Sequence, residues 1–261
     1  MAPLPIRRSL TTLSIGSLII LAVMANPFGS LAVEPYPPQR LFGTEDSPVQ
    51  FVILPDGYTQ NELGKFKEDA NRLVLGTLLQ NRTIGKYRDK IGVVGFAVPS
   101  SASGFASPFF GSVLEGGTQT AFGKRSIPIN FINTNFPKAY VGIVLVNANA
   151  NGGQSVPNAT PGIMVVSVDS PRSPFLILHE FGHAFAHRQH EYTQTGGVLN
   201  VFARPTGNGS EVCVMGAGRA ERKQGKRSEG PPSMNYCKEC EEAIENVFKS
   251  VIDRDSPAQR Q

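Results

Sequence analysis

Residues 178–192 read LHEFGHAFAHRQHEY, and this stretch holds all four histidines of a 261-residue chain. His179 and His183 are four apart, so on a helix they leave the same face about one turn from each other. That spacing lets two imidazoles bind a single zinc ion. Glu180, beside the first of them, is placed to take the proton of a water that the ion polarises. A bare coincidence of residues in a structural helix is the ordinary alternative, and the surroundings oppose it. Ser173 and Pro174 supply an N-cap and a first-turn proline, the residues that follow are apolar, and Gly182 leaves room for close packing. A helix is expected over residues 175–187.

Two histidines do not close a zinc site. His187 continues the same helical face but lies about 12 Å from His179 along the axis, so it reads as a surface or supporting residue. His190 and Glu191 follow the expected helix end. A sharp turn after Phe185 brings either of them back to the metal.

Upstream of this segment the chain alternates apolar runs with turns. Residues 49–54 (VQFVIL) read as a buried strand closed by Pro55, Asp56 and Gly57. Thr59 and Glu62 form a capping box that opens a helix with Leu63, Phe66, Ala70, Leu73 and Val74 on its apolar positions. Further strands are expected at 91–98 (IGVVGFAV), 140–146 (YVGIVLV) and 163–168 (IMVVSV). Between them, residues 99–130 form a long excursion rich in Gly, Ser and Phe, of a length more often functional than idle. Residues 147–158 (NANANGGQSVPN) form a Gly/Asn loop suited to border a cleft. Residues 33–48 read as an irregular lead-in, and a last helix is expected over 237–252.

Composition sets the class. Hydrophobic content of 40% with 18% charged residues suits one soluble domain with a real core, and Gly 27 with Pro 20 favours turns over a helical bundle. Arg7 and Arg8, the apolar run 13–25 and the small residues Ser30 and Ala32 read as an export signal cut near Ala32. The apolar run is short of the roughly 20 residues that span a bilayer, so a secreted protein without stable membrane association is expected. Removing those two arginines and no acid lowers the formal charge from +4 to +2, too little to argue for nucleic acid or anionic membranes. The basic cluster 219–227 (RAERKQGKR) reads as a solvated loop, with a rim that attracts acidic substrates as its alternative. Sequons at Asn81, Asn158 and Asn208 matter only in a eukaryotic secretory route.

The chain's three cysteines are Cys213, Cys237 and Cys240. In an oxidising compartment one disulfide and one spare thiol are expected, and the spacing does not choose among the three pairs. A zinc-binding trio is the other reading, incomplete because no histidine lies nearby in sequence.

The segment HEFGHAFAHRQHEY resembles the zinc motif of the IgA-peptidase family of bacterial metalloendopeptidases, in which HEFGH is followed by a short turn and Asp-Glu-Tyr. Residues 52–59 (VILPDGYT) resemble that family's early strand and turn. Cys213-Val214-Met215 and Tyr236-Cys237-Lys238-Glu239-Cys240 resemble its Cys-x-Met and Cys-x-x-Cys elements. Together these cover about residues 49–248. Two departures stand out: His190-Glu191-Tyr192 replaces Asp-Glu-Tyr, and Ala186-His187-Arg188 replaces Gly-Gly-Leu. Asp and His interchange as third ligand among metzincin peptidases, so the resemblance favours His190 over Glu191, which stays the alternative. It also implies a Met-turn beneath the metal at Met215, with Met234 as a rival, and it makes Tyr192 and Tyr236 candidates to donate a hydrogen bond to the tetrahedral oxyanion.

The implied architecture is an α+β, metzincin-like zinc peptidase domain. A twisted mixed β-sheet packs on two helices in an N-terminal subdomain, residues 49–192, that carries the zinc-binding helix. An irregular C-terminal subdomain, residues 193–261, holds the Met-turn, the cysteines and a terminal helix. The expected activity is that of a secreted zinc-dependent endopeptidase acting on protein or peptide substrates. Two other readings are a non-catalytic secreted binding protein that keeps the fold, and a zinc amidase acting on cell-wall peptides. The intact Glu180, His179 and His183 weigh against the first. Cleavage of immunoglobulin does not follow from the resemblance.

Overall fold

The computed structural model describes residues 37–156, 159–186, 193–195, 198–200, 213–215 and 234–254. The expected leader 1–32, His187, His190, Glu191, Tyr192, the basic cluster 219–227 and the sequons at Asn158 and Asn208 lie outside the described residues.

In chain order the strands are β1 (Gln39–Phe42), β2 (Val49–Asp56), β3 (Ile91–Gly95), β4 (Ser112–Glu115), β5 (Gln119–Phe122), β6 (Ala139–Val146), β7 (Gly153–Val156), β8 (Gly162–Ser167), β9 (Thr193–Thr195) and β10 (Val198–Asn200). The α-helices are α1 (Leu63–Ala70), α2 (Ser126–Asn135), α3 (Ser173–Ala186) and α4 (Lys238–Arg254). One mixed sheet has the order β1-β3-β2-β6-β8-β7. Its four inner strands run parallel, and the edge strands β1 and β7 run antiparallel to their neighbours.

Every residue of β2 is buried, as expected for an inner strand covered on both faces. The two-residue side-chain period sorts the sheet into two cores. Phe51, Ile53, Val141, Ile143, Met164 and Val166 face the layer that holds α1, α3 and α4. Val52, Leu54, Val144, Val146, Ile163 and Val165 face the opposite layer, with Phe110 and Ile132. Phe51 meets Phe181 of α3 edge to face at 5.5 Å, an arrangement worth about 1 kcal/mol beyond the area buried.

The capping box forms as read. Glu62 Oε2 accepts from the Thr59 backbone N–H at 2.9 Å and from its hydroxyl at 2.8 Å. The helix it opens is not uniform, since a 3-10 turn leads into α1 and residues Asn71–Leu78 continue as a π-helix. Leu73, Val74 and Leu78 stay buried throughout.

Several expectations are corrected. The lead-in 33–48 contains β1, an edge strand whose sequence QRLF carries no β-branched residue to signal it. The Gly/Asn loop 147–158 contains β7, which owes its form to pairing with β8, Gly153 opposite Val166. The excursion 99–130 folds a β4–β5 hairpin across Gly116 and Gly117, both at positive φ, and includes the start of α2. Ser173 is helical rather than a cap, and its hydroxyl donates to the carbonyls of Ser167 at 2.6 Å and Ser170 at 2.7 Å. Those bonds tie the start of α3 to the end of β8.

Candidate metal centre

Helix α3 is apolar nearly all round, and every residue from Phe175 to Phe185 is buried, with only Pro174 in the first turn and Ala186 at the end part-exposed. Such a helix belongs in a core. Three ionisable side chains inside it, His179, Glu180 and His183, therefore need partners, because desolvated polar groups are costly when unmatched.

The two imidazoles find each other. Nε2 of His179 lies 3.2 Å from Nε2 of His183, with ring planes at 84°. Two nitrogens on one zinc at about 2.0–2.1 Å, near the tetrahedral angle, stand about 3.4 Å apart, so the pair fits a shared ion. On its far side His179 Nδ1 lies 3.0 Å from the carbonyl oxygen of Val214. A carbonyl only accepts, which places the proton on Nδ1 and leaves the Nε2 lone pair toward His183. Phe175 stacks on the His179 ring at 5.7 Å and limits its rotation.

Glu180 is buried beside the pair, against the backbone of the edge strand β7. A Cβ placed on Gly153 would come within 2.9 Å of Glu180 Cγ, so the strand passes the carboxyl closely only because it carries glycine there. Burial pushes the Glu180 carboxyl up to about 7, against the opposing effect of a hydrogen bond from Ser155. A carboxyl so tuned exchanges protons near neutral pH.

The floor beneath α3 comes from the C-terminal part of the chain. Met215 is fully buried and its sulfur sits where a Cβ on Gly182 would project. Met234 is exposed. The Tyr236 hydroxyl, fully buried, donates to the carbonyl oxygen of Leu178. In this structure that bond engages the hydroxyl's proton inside the core. The Val214 N–H donates to Asn235 O at 2.8 Å, joining the two segments that touch α3. The three cysteines close the same region, buried and without the expected disulfide.

His179 and His183 are thus brought together, Glu180 is buried against β7, and Met215 and Tyr236 pack on α3 at Gly182 and Leu178. His190, Glu191 and Tyr192 lie outside the described residues, so no third ligand is placed. Two contributors had no signal in the sequence. Val214 acts through a backbone carbonyl, which any residue carries, and Ser155 sits on a strand that only pairing defines.

A family model described as IgA peptidase M64 matches residues 42–211, well over half of the chain. The matched span runs from the end of β1 through the histidine segment and stops short of Cys213. No curated protein matches the chain. The family implies a metal cofactor, and the histidine pair is a donor set suited to one.

Proposed function

The chain belongs to the IgA peptidase M64 family, a metallopeptidase family acting on protein or peptide substrates; from that premise we propose that it is a secreted, zinc-dependent endopeptidase of metzincin-like architecture. The observation that carries this reading is the facing pair of Nε2 atoms on His179 and His183 with Glu180 buried alongside. Export rests on the basic and apolar pattern of residues 1–32 alone.

His179 and His183 would hold the ion, with His190 as third ligand and Glu191 as its alternative. A bound zinc ion supplies Lewis acidity to water and to the scissile carbonyl. Val214 O holds the His179 ring by its Nδ1 proton, which keeps Nε2 available as a donor to the metal. Glu180 accepts a proton from the attacking water and returns it to the amide nitrogen as the C–N bond breaks. Met215 serves as the Met-turn residue under the pair. Tyr192 and Tyr236 are the candidates to donate to the oxyanion.

Peptide hydrolysis by the wild type and by Glu180→Ala, with zinc content measured in both, tests this assignment. Loss of about 100-fold or more in kcat with zinc retained is expected. Equal cleavage by the two proteins removes the enzyme reading. Chelation should abolish hydrolysis and added zinc restore it.

A further inference from the structure

Cys213, Cys237 and Cys240 lie beyond the matched span, and the catalytic scheme above uses none of them. All three are buried and outside any disulfide, and their sulfur atoms lie within 4.8 Å of one another. Cys213 Sγ and Cys240 Sγ are 3.7 Å apart. A disulfide requires about 2.05 Å. Two thiolates on one zinc ion, at about 2.3 Å and near the tetrahedral angle, stand about 3.8 Å apart. The observed separation therefore matches shared coordination rather than a covalent bond.

Backbone geometry adds a second observation. Cys213 Sγ accepts the Met215 N–H at 3.4 Å and the Cys237 N–H at 3.2 Å. Amide donors converging on one sulfur favour its thiolate form, the form that binds metal. Cys237 and Cys240 have the two-residue spacing that turns both sulfurs to one side at a helix start, the usual half of a structural zinc site. Among the described residues no other His, Cys, Asp or Glu joins the group.

We propose that Cys213, Cys237 and Cys240 form a second metal site, for a thiophilic cation such as zinc, that clamps the turn at 213–215 to the first turn of α4. Each thiol releases its proton to solvent as its sulfur takes the ion, with no change of oxidation state. Three soft sulfur donors select zinc or copper(I) over magnesium or calcium. The clamp acts on the first site at two points. It holds Val214, whose carbonyl orients His179, and Met215, which packs under Gly182. The three sulfurs would bind their ion whatever the histidines hold.

The full chain, reduced and stripped of metal, is loaded with cobalt(II) alone. A sulfur-to-cobalt charge-transfer band in the near ultraviolet is expected, retained in His179→Ala and lost in Cys240→Ser. Zinc content should fall by one equivalent per chain in Cys240→Ser relative to wild type. For the case in which that variant does not fold, the wild type suffices: zinc should shield the three thiols from alkylation, and a chelator should expose them. The inference is overturned by the absence of the cobalt band, by unchanged zinc content in folded Cys240→Ser, or by alkylation unaffected by zinc. Alkylation without prior reduction that finds a Cys213–Cys240 disulfide in the zinc-loaded chain overturns it as well. None of these readings depends on peptide hydrolysis, so failure here leaves the proposed activity standing.

Discussion

The Nδ1 atom of His179 lies 3.0 Å from the carbonyl oxygen of Val214, 35 positions further along the chain. This contact joins the helix that carries the histidine pair to a turn on the far side of the sequence. It orients one imidazole without using a side chain of the partner. What happens to the turn therefore reaches the Nε2 atom across the ring directly.

Gly182 and Met215 meet at this junction, and the contact predicts a coupled pair of variants. Gly182→Ala gains about 1 kcal/mol of helix propensity. It also drives a methyl group into Met215 Sδ and to within 3.3 Å of Tyr236 Cε1, and overpacking costs about 1–3 kcal/mol. A net loss of stability is expected in denaturant melts. In a Met215→Ala background, where the obstructing sulfur is gone, Gly182→Ala should cost less or become stabilising. Additive effects would show that the two residues do not press on each other.

Tyr236→Phe removes the donor to Leu178 O and should lower stability by about 1 kcal/mol. Its kcat should stay close to wild type, because the hydroxyl is engaged inside the core. Tyr192→Phe should instead lower kcat by about 100-fold with little change in stability. Steady-state kinetics and thermal melts on both variants decide between the two tyrosines.

Asp69 links α1 to the end of β8 through charge. It accepts from Lys65 at 2.7 Å, Arg72 at 2.6 Å and the Tyr58 hydroxyl at 3.0 Å, and Lys65 also reaches Asp169. Burial alone would raise its carboxyl, yet the bonds from Lys65 and Arg72 outweigh that and hold it below the usual carboxylate range. With the folded pKa below the unfolded value of about 3.9, the contribution is fully present above that value. It is lost as pH falls through the folded pKa. Asp69→Asn should cost about 2 kcal/mol at pH 7. Urea midpoints of variant and wild type should draw together as pH falls through the lowered pKa of the native carboxyl.

Asp56 anchors the long excursion. Its two carboxylate oxygens accept the Phe110 N–H at 2.8 Å and the Ser112 N–H at 2.9 Å. Asp56→Asn keeps one acceptor and turns an N–H₂ group toward the other amide. Faster limited proteolysis between residues 99 and 122 is expected, with faster hydrogen exchange at Phe110 and Ser112. Unaltered cleavage would show that other contacts hold this segment.

Residues whose signal is local were readable in advance. The capping box at Thr59 and Glu62 depends on four adjacent residues, and it formed. The inner strands announced themselves because strands buried on both faces are nearly continuously apolar, as 49–54, 140–146 and 163–168 are apart from Gln50 and Ser167. The i, i+4 spacing of His179 and His183 puts both rings on one face of any helix, and the structure has them facing each other. Elements that exist by pairing were missed. β1 and β7 have edge-strand sequences without strand character, and neighbours with vacant backbone groups supplied their form.

By itself, then, the sequence determined the helix that presents two imidazoles and a carboxylate together, because helical periodicity is set within a single turn. Tertiary structure alone decided which backbone carbonyl orients His179, which methionine lies under Gly182 and how close three distant thiols come. Those relationships join segments tens of residues apart, and no local rule relates residues that only packing brings into contact.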